Sequence, residues 1–150
     1  LIKIIEGDIL KASENIIGHQ VNCQGVMGAG LAKQLRDNSK VLYNNYRSLC
    51  NRANPYDLLG TVQIVCVAKD KYVANIFGQL NYGRQKLRYT DYDELRKALE
   101  DLKRIAIKEE LSVALPYGIG CGLAGGDWDV VSSIIKEVFS NFDITLYKFN

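Results

Sequence analysis

The sequence predicts an α/β fold with helices packed on both faces of a mixed, mostly six-stranded sheet. Short apolar segments alternate with amphipathic ones, the pattern that sets strands in one layer and helices above and below it. Two glycine-rich loops, 22–32 and 116–127, each follow an apolar segment and lead into a helical one. At 150 residues the chain fits one domain, 1–150, long enough to bury roughly two-thirds of its unfolded surface.

The elements follow in order. Ile2-Lys3-Ile4-Ile5 opens as a strand and ends at Glu6-Gly7-Asp8. Residues 15–21, carrying Ile16, Ile17 and Val21, read as a buried strand feeding the first glycine loop. Helical patterns cover 29–37 and 40–49, and Asn54-Pro55 punctuates a loop over 51–58. Residues 61–67 and 72–77 are rich in β-branched and aromatic side chains, and Lys69-Asp70-Lys71 turns them into a hairpin. The clearest helix spans 91–109, where Tyr92, Leu95, Leu99, Leu102 and Ala106 recur at spacings of three and four. Asp93–Lys97 and Glu100–Arg104 are expected as i,i+4 charge pairs on its outer face. A strand over 112–115 enters the second glycine loop. A helix over 127–140 then turns Val131, Ile134, Ile135 and Val138 inward, and 144–149 closes as a strand.

A content of 47% hydrophobic and 24% charged residues places the chain among globular proteins and against disorder. No apolar run approaches the roughly 20 residues that span a bilayer, and no signal peptide is visible. A cytoplasmic monomer without a membrane partner is therefore expected. The net charge of +2 is interspersed, which argues against a dedicated nucleic-acid face, although Arg84, Lys86 and Arg88 form a local basic cluster. The four cysteines show no C-x-x-C pairing and His19 is the only histidine, so no zinc, other metal or cofactor is expected. Reduced thiols are the expectation for Cys23, Cys50, Cys66 and Cys121.

The glycine loops carry the chemistry. Closely spaced glycines let the backbone approach a ligand and turn N–H groups inward, and a following helix N-terminus adds positive potential. One such loop suggests a phosphate; two suggest a diphosphate held from both sides. Gly120-x-Gly122-x-x-Gly125 matches a dinucleotide fingerprint, but the acid and further βα units that this reading needs do not follow. No Gly-Lys-Ser/Thr follows either loop, which removes the simplest nucleotide-hydrolase reading.

Three segments in order resemble the macro domain family: Gly7-Asp8-Ile9, Val21-Asn22 with Gly28-Ala29-Gly30, and Pro116 with Gly118-Ile119-Gly120-Cys121-Gly122-Leu123. The resemblance covers nearly the whole chain. It implies a three-layer α/β/α domain that binds ADP-ribose, with Asp8 accepting from the adenine amine. By the same resemblance the first loop would hold the distal ribose and phosphates, and the second the diphosphate. Asn22-Cys23-Gln24-Gly25 and Gly120-Cys121-Gly122-Leu123 look most like the branch of terminal ADP-ribose protein glycohydrolases and ADP-ribose-1''-phosphate phosphatases. Where that glycohydrolase subtype carries a catalytic lysine, this chain has Gln79, and where it carries an assisting aspartate, this chain has Ala124. An amide forms no Schiff base, so lysine-type covalent catalysis does not transfer.

Asp127 and His19 remain as candidate catalytic groups. Asp127 could activate a water, or cap the helix that follows it. His19 stands three residues before Asn22, as a histidine does in the phosphatase subtype, yet strand alternation puts the two on opposite faces. Their other reading is structural, as it is for Asp8 capping a turn and Asn22 closing an Asx-turn. Arg84, in the polar segment 79–89, could pair with a phosphate or belong to a solvated loop. Tyr147 or Phe149 would stack on adenine, or pack in the core. These residues point to an ADP-ribosyl hydrolase, with a non-catalytic ADP-ribose reader and a nucleic-acid-directed hydrolase as the competing readings.

Overall fold

A computed structural model describes residues 1–149. The strands are β1 (Ile2–Glu6), β2 (Ile16–Asn22), β3 (Val62–Ala68), β4 (Lys71–Gln79), β5 (Val113–Pro116) and β6 (Ile144–Lys148). The helices are α1 (Gly30–Asn38), α2 (Lys40–Arg52), α3 (Pro55–Leu58), α4 (Tyr92–Glu109) and α5 (Trp128–Val138), with a 3-10 turn at Ile9–Lys11.

Alternation along β2 and β4 sorts the two faces of the sheet. Ile16, Ala74 and Ile76 pack with Leu95, Leu99, Leu102, Val131 and Ile135 under α4 and α5. Val21, Val73 and Phe77 pack with Leu35, Leu42 and Tyr46 under α1 and α2. The result is three layers, α/β/α. The sheet order is β1-β6-β5-β2-β4-β3, parallel throughout except for the β3–β4 hairpin, whose turn residue Asp70 takes a left-handed φ of 57°.

Caps define the helices. Asp91 accepts from Glu94 N at 3.1 Å to start α4, and Ser39 both ends α1 and accepts from Leu42 N to start α2. The segment 51–58 is not all loop. Asn54 caps α3 and Pro55 supplies its first turn, where a missing N–H costs nothing. The outer charges of α4 also pair differently from the expectation. Lys97 meets Glu94 and Arg104 meets Asp101 at i,i+3, while Arg96 reaches Glu137 of α5 at 2.7 Å.

Candidate functional site

β2 and β5 are adjacent and parallel, but they pair only through Ile16–Val113 and Ile17–Ala114 before they part. The loop after β2 leads to α1 on one face, and the loop after β5 leads to α5 on the other. A crevice opens where such connections diverge. It holds two adjoining hollows of about 280 and 430 Å³, which share Gln20, Ala29, Ala32, Gln79, Leu123 and Ala124. The smaller is lined by His19, Gly30, Leu31, Gly118, Ile119, Gly120 and Gly122. The larger is lined by Asn22, Val26, Gly28, Tyr82, Gly83, Arg84 and Tyr89.

The second glycine loop is a run of tight turns. Gly118 and Gly120 take φ of 84° and 75°, a region a Cβ would strain. Ile119 N donates to Pro116 O and Cys121 N to Gly118 O, which leaves the N–H groups of Gly118, Gly120 and Gly122 without an internal acceptor. On the opposite wall α1 begins at Gly30, φ 58°, and no side chain caps it. Its first N–H groups are left for a ligand, and the helix dipole favours an anion there.

Asn22 organises the first loop. Its Oδ1 accepts from Gln24 N at 2.9 Å and from the Tyr46 hydroxyl at 3.0 Å, and its Nδ2 donates to Val26 O at 2.8 Å. The β2–β4 register slips between Val21 and Asn22, so that Asn22 pairs with Gln79 and Gly78 is skipped. Asn22 is the last residue of β2, and its side chain reaches Tyr46 of α2, on the face that strict alternation denies it.

Gln20 Nε2 donates to Gln79 Oε1 at 2.9 Å and to Thr90 Oγ1 at 2.8 Å, and Thr90 donates in turn to Gly120 O at 2.7 Å. Gln79 Nε2 donates to Asn81 O. These amides thus tie the end of β4 to the second glycine loop. The segment 80–90 is held there too: Tyr89 N and Thr90 N both donate to Ala124 O, at 2.7 and 3.1 Å.

His19 is buried on β2, with Nε2 2.7 Å from Asn75 Oδ1. Burial pulls its imidazole down to about 4, against the opposing pull of the Asn75 bond. Burial also pushes the Cys23 thiol up to about 12 and the Cys121 thiol to about 11, with Cys50 and Asp127 adding to the respective effects. Neither sulfur is a nucleophile at neutral pH.

The structure brings together in the crevice His19, Asn22, Gly28, Ala29, Gly30, Gln79, Arg84, Gly118, Ile119, Gly120, Gly122 and Leu123. Cys121 turns aside and places its sulfur on Ile119 O. Asp8 caps the 3-10 turn by accepting from Leu10 N, and it lines neither hollow. Ile9 is buried beneath it. Two expectations need correction. Asp127 is exposed outside both hollows and caps α5 by accepting from Asp129 N at 2.8 Å, so it is not placed for the chemistry. Tyr147 is core: it packs with Ile9, Ile17 and Ala114, and its hydroxyl donates to Glu14. Phe149, by contrast, is exposed beyond β6. Val26 lies in the first glycine loop, and Tyr82 and Tyr89 in the polar segment 79–89, both marked as candidate ligand-facing segments by their composition. Gln20 and Thr90 were not singled out, and only the alternation of β2, which sets Gln20 opposite His19, carried a signal for either.

No protein-family profile matches the chain. Over 96% of its length it is 28% identical to the ADP-ribose 1''-phosphate phosphatase of Scheffersomyces stipitis, 98% of which is covered. It is 29% identical over 89% of its length to the DNA ADP-ribosyl glycohydrolase of Mycobacterium tuberculosis, but it spans only 37% of that protein. A solved structure of a protein of unknown function from Bacteroides thetaiotaomicron superposes with a TM-score of 0.88 at 32% identity, over 99% of this chain and 98% of that one. The macrodomain of Mycobacterium tuberculosis DarG superposes with a TM-score of 0.84 at 25% identity, over 98% of this chain and 97% of that one. The chain has the fold of a macro domain. In this macro domain neither hollow is lined by a lysine or a carboxylate, and Arg84 is the one formally charged side chain among the described lining residues.

Proposed function

We propose that this macro domain binds ADP-ribose across the crevice and hydrolyses a bond at its distal ribose. The observation that carries the reading is the convergence of two donor-rich loops on one crevice, the chemistry that a diphosphate requires. The larger hollow beyond them, bordered by Arg84, would take the group that leaves. The phosphatase and glycohydrolase named among its relatives support a hydrolase. With no lysine or carboxylate at the crevice, a water held between the amides and the distal ribose would be the attacking group, and turnover would be slow. The free thiols support a reducing, cytoplasmic setting, and we take the working unit as a monomer.

The same empty roster of acids and bases favours a second reading, a reader that binds ADP-ribose without cleaving it. Incubation with ADP-ribose-1''-phosphate, O-acetyl-ADP-ribose, carboxylate-linked ADP-ribosyl protein and ADP-ribosylated single-stranded DNA separates the two. Mass spectrometry should find free ADP-ribose released from at least one substrate. Four intact substrates alongside retained ADP-ribose binding would establish the reader, and no ADP-ribose binding at all would refute both.

A further inference from the structure

A row of polar side chains crosses the sheet beneath α2. His19, Asn75 and Gln63 are register neighbours on β2, β4 and β3. Gln63 Nε2 donates to the backbone carbonyl of Asn45 at 3.2 Å, Asn75 Nδ2 donates to Gln63 Oε1 at 3.0 Å, and His19 Nε2 lies 2.7 Å from Asn75 Oδ1. Amide and imidazole ends can each be reversed, but a backbone oxygen only accepts. The Asn45 carbonyl therefore turns the Gln63 nitrogen toward α2 and its oxygen toward Asn75. Asn75 must then give its NH2 to Gln63 and its oxygen to His19. An oxygen acceptor in that place requires the hydrogen on Nε2. Neutral imidazole so protonated carries a bare lone pair on Nδ1.

That nitrogen is buried without a partner, on a residue that lines the smaller hollow. A row serving only the core would be expected to satisfy its last member, because an orphaned buried acceptor is costly. The row instead ends at the crevice. Its end also differs in kind from the loop walls, which offer N–H donors suited to phosphate oxygens. Nδ1 accepts, so it repels a phosphate oxygen and suits a hydroxyl.

We propose that Gln63 and Asn75 are positioning residues that hold His19 as the Nε2–H tautomer, so that Nδ1 accepts a hydrogen bond from a ribose hydroxyl of the ligand. The hydroxyl donor rests on the ADP-ribose reading above; the tautomer does not. Because His19 is the only histidine, its two ring nitrogens give an unambiguous long-range ¹H–¹⁵N spectrum. In the free protein at neutral pH, Nε2 should resonate as a protonated nitrogen and Nδ1 as an unprotonated one. The reverse pattern, or an averaged pair, would overturn the row's role. Added ADP-ribose should shift Nδ1 and leave Nε2 in place. ADP-ribose that binds by calorimetry without moving Nδ1 removes the acceptor role, whereas failure to bind refutes the crevice reading and leaves the tautomer to be judged alone.

Two variants probe the row itself. Gln63→Glu keeps an oxygen facing Asn75 and should retain the tautomer. Gln63→Met frees the Asn75 amide and should average the two nitrogens, with ADP-ribose affinity falling by about twofold as half the molecules take the other tautomer. An unchanged spectrum in Gln63→Met would show that the Asn45 carbonyl does not set the polarity, and would overturn the proposal.

Discussion

Burial holds His19 neutral, and that links folding to pH. The folded imidazole titrates at about 4 and the unfolded one near 6.5, so between these values the unfolded chain binds more protons. Stability is full above pH 6.5 and is lost as pH falls toward 4, a swing of roughly 3 kcal/mol. Urea midpoints should fall more steeply from neutral pH to mildly acidic pH in wild type than in His19→Gln; parallel declines would mean that His19 titrates normally. Asp127 carries the opposite expectation. Replacing this helix cap with Ala should cost about 1 kcal/mol in thermal stability and leave turnover within about twofold. A tenfold loss of turnover would return Asp127 to the mechanism. Both residues were visible in the sequence, but their roles were not, because a cap and a catalytic acid share one sequence signature. Burial and an aimed carboxylate distinguish them.

At the level of elements, the segment 80–90 behaves as an extension of the second glycine loop. Its anchor is Ala124 O, and its fit depends on Gly125, where φ is 73° and a Cβ would lie 2.5 Å from Leu87 O. Gly125→Ala should therefore displace the segment. The expected result is a several-fold rise in KM for a substrate that fills the larger hollow, with a smaller change in free ADP-ribose affinity. Equal losses for both ligands would show that the segment shapes the whole crevice. The strands and long helices were legible from periodicity, since each carries its own apolar pattern. The docking of 80–90 was not, because it is made by backbone groups that every sequence possesses. The slip between β2 and β4 was hidden for the same reason, and the alternation that set His19 and Asn22 apart held only up to that point.

For the molecule as a whole, a net charge of +2 and a crevice of N–H donors imply that recognition is dipolar more than ionic. ADP-ribose affinity should fall less than about threefold as salt rises from about 50 to about 500 mM. A steep decline would assign the binding to Arg84 and the basic cluster around it. The layered fold followed from the order of elements, but the sheet order did not, since periodicity does not say which strands are neighbours. That order has a temporal consequence. β6, the sixth strand of the sheet in sequence, lies between β1 and β5, and Gly7 N is bound to Lys148 O. The sheet's first strand therefore waits for its sixth. Until β6 has been made and inserted, β1 has no partner in the sheet, so a growing chain carries β1 unpaired and leaves β5 as an open edge.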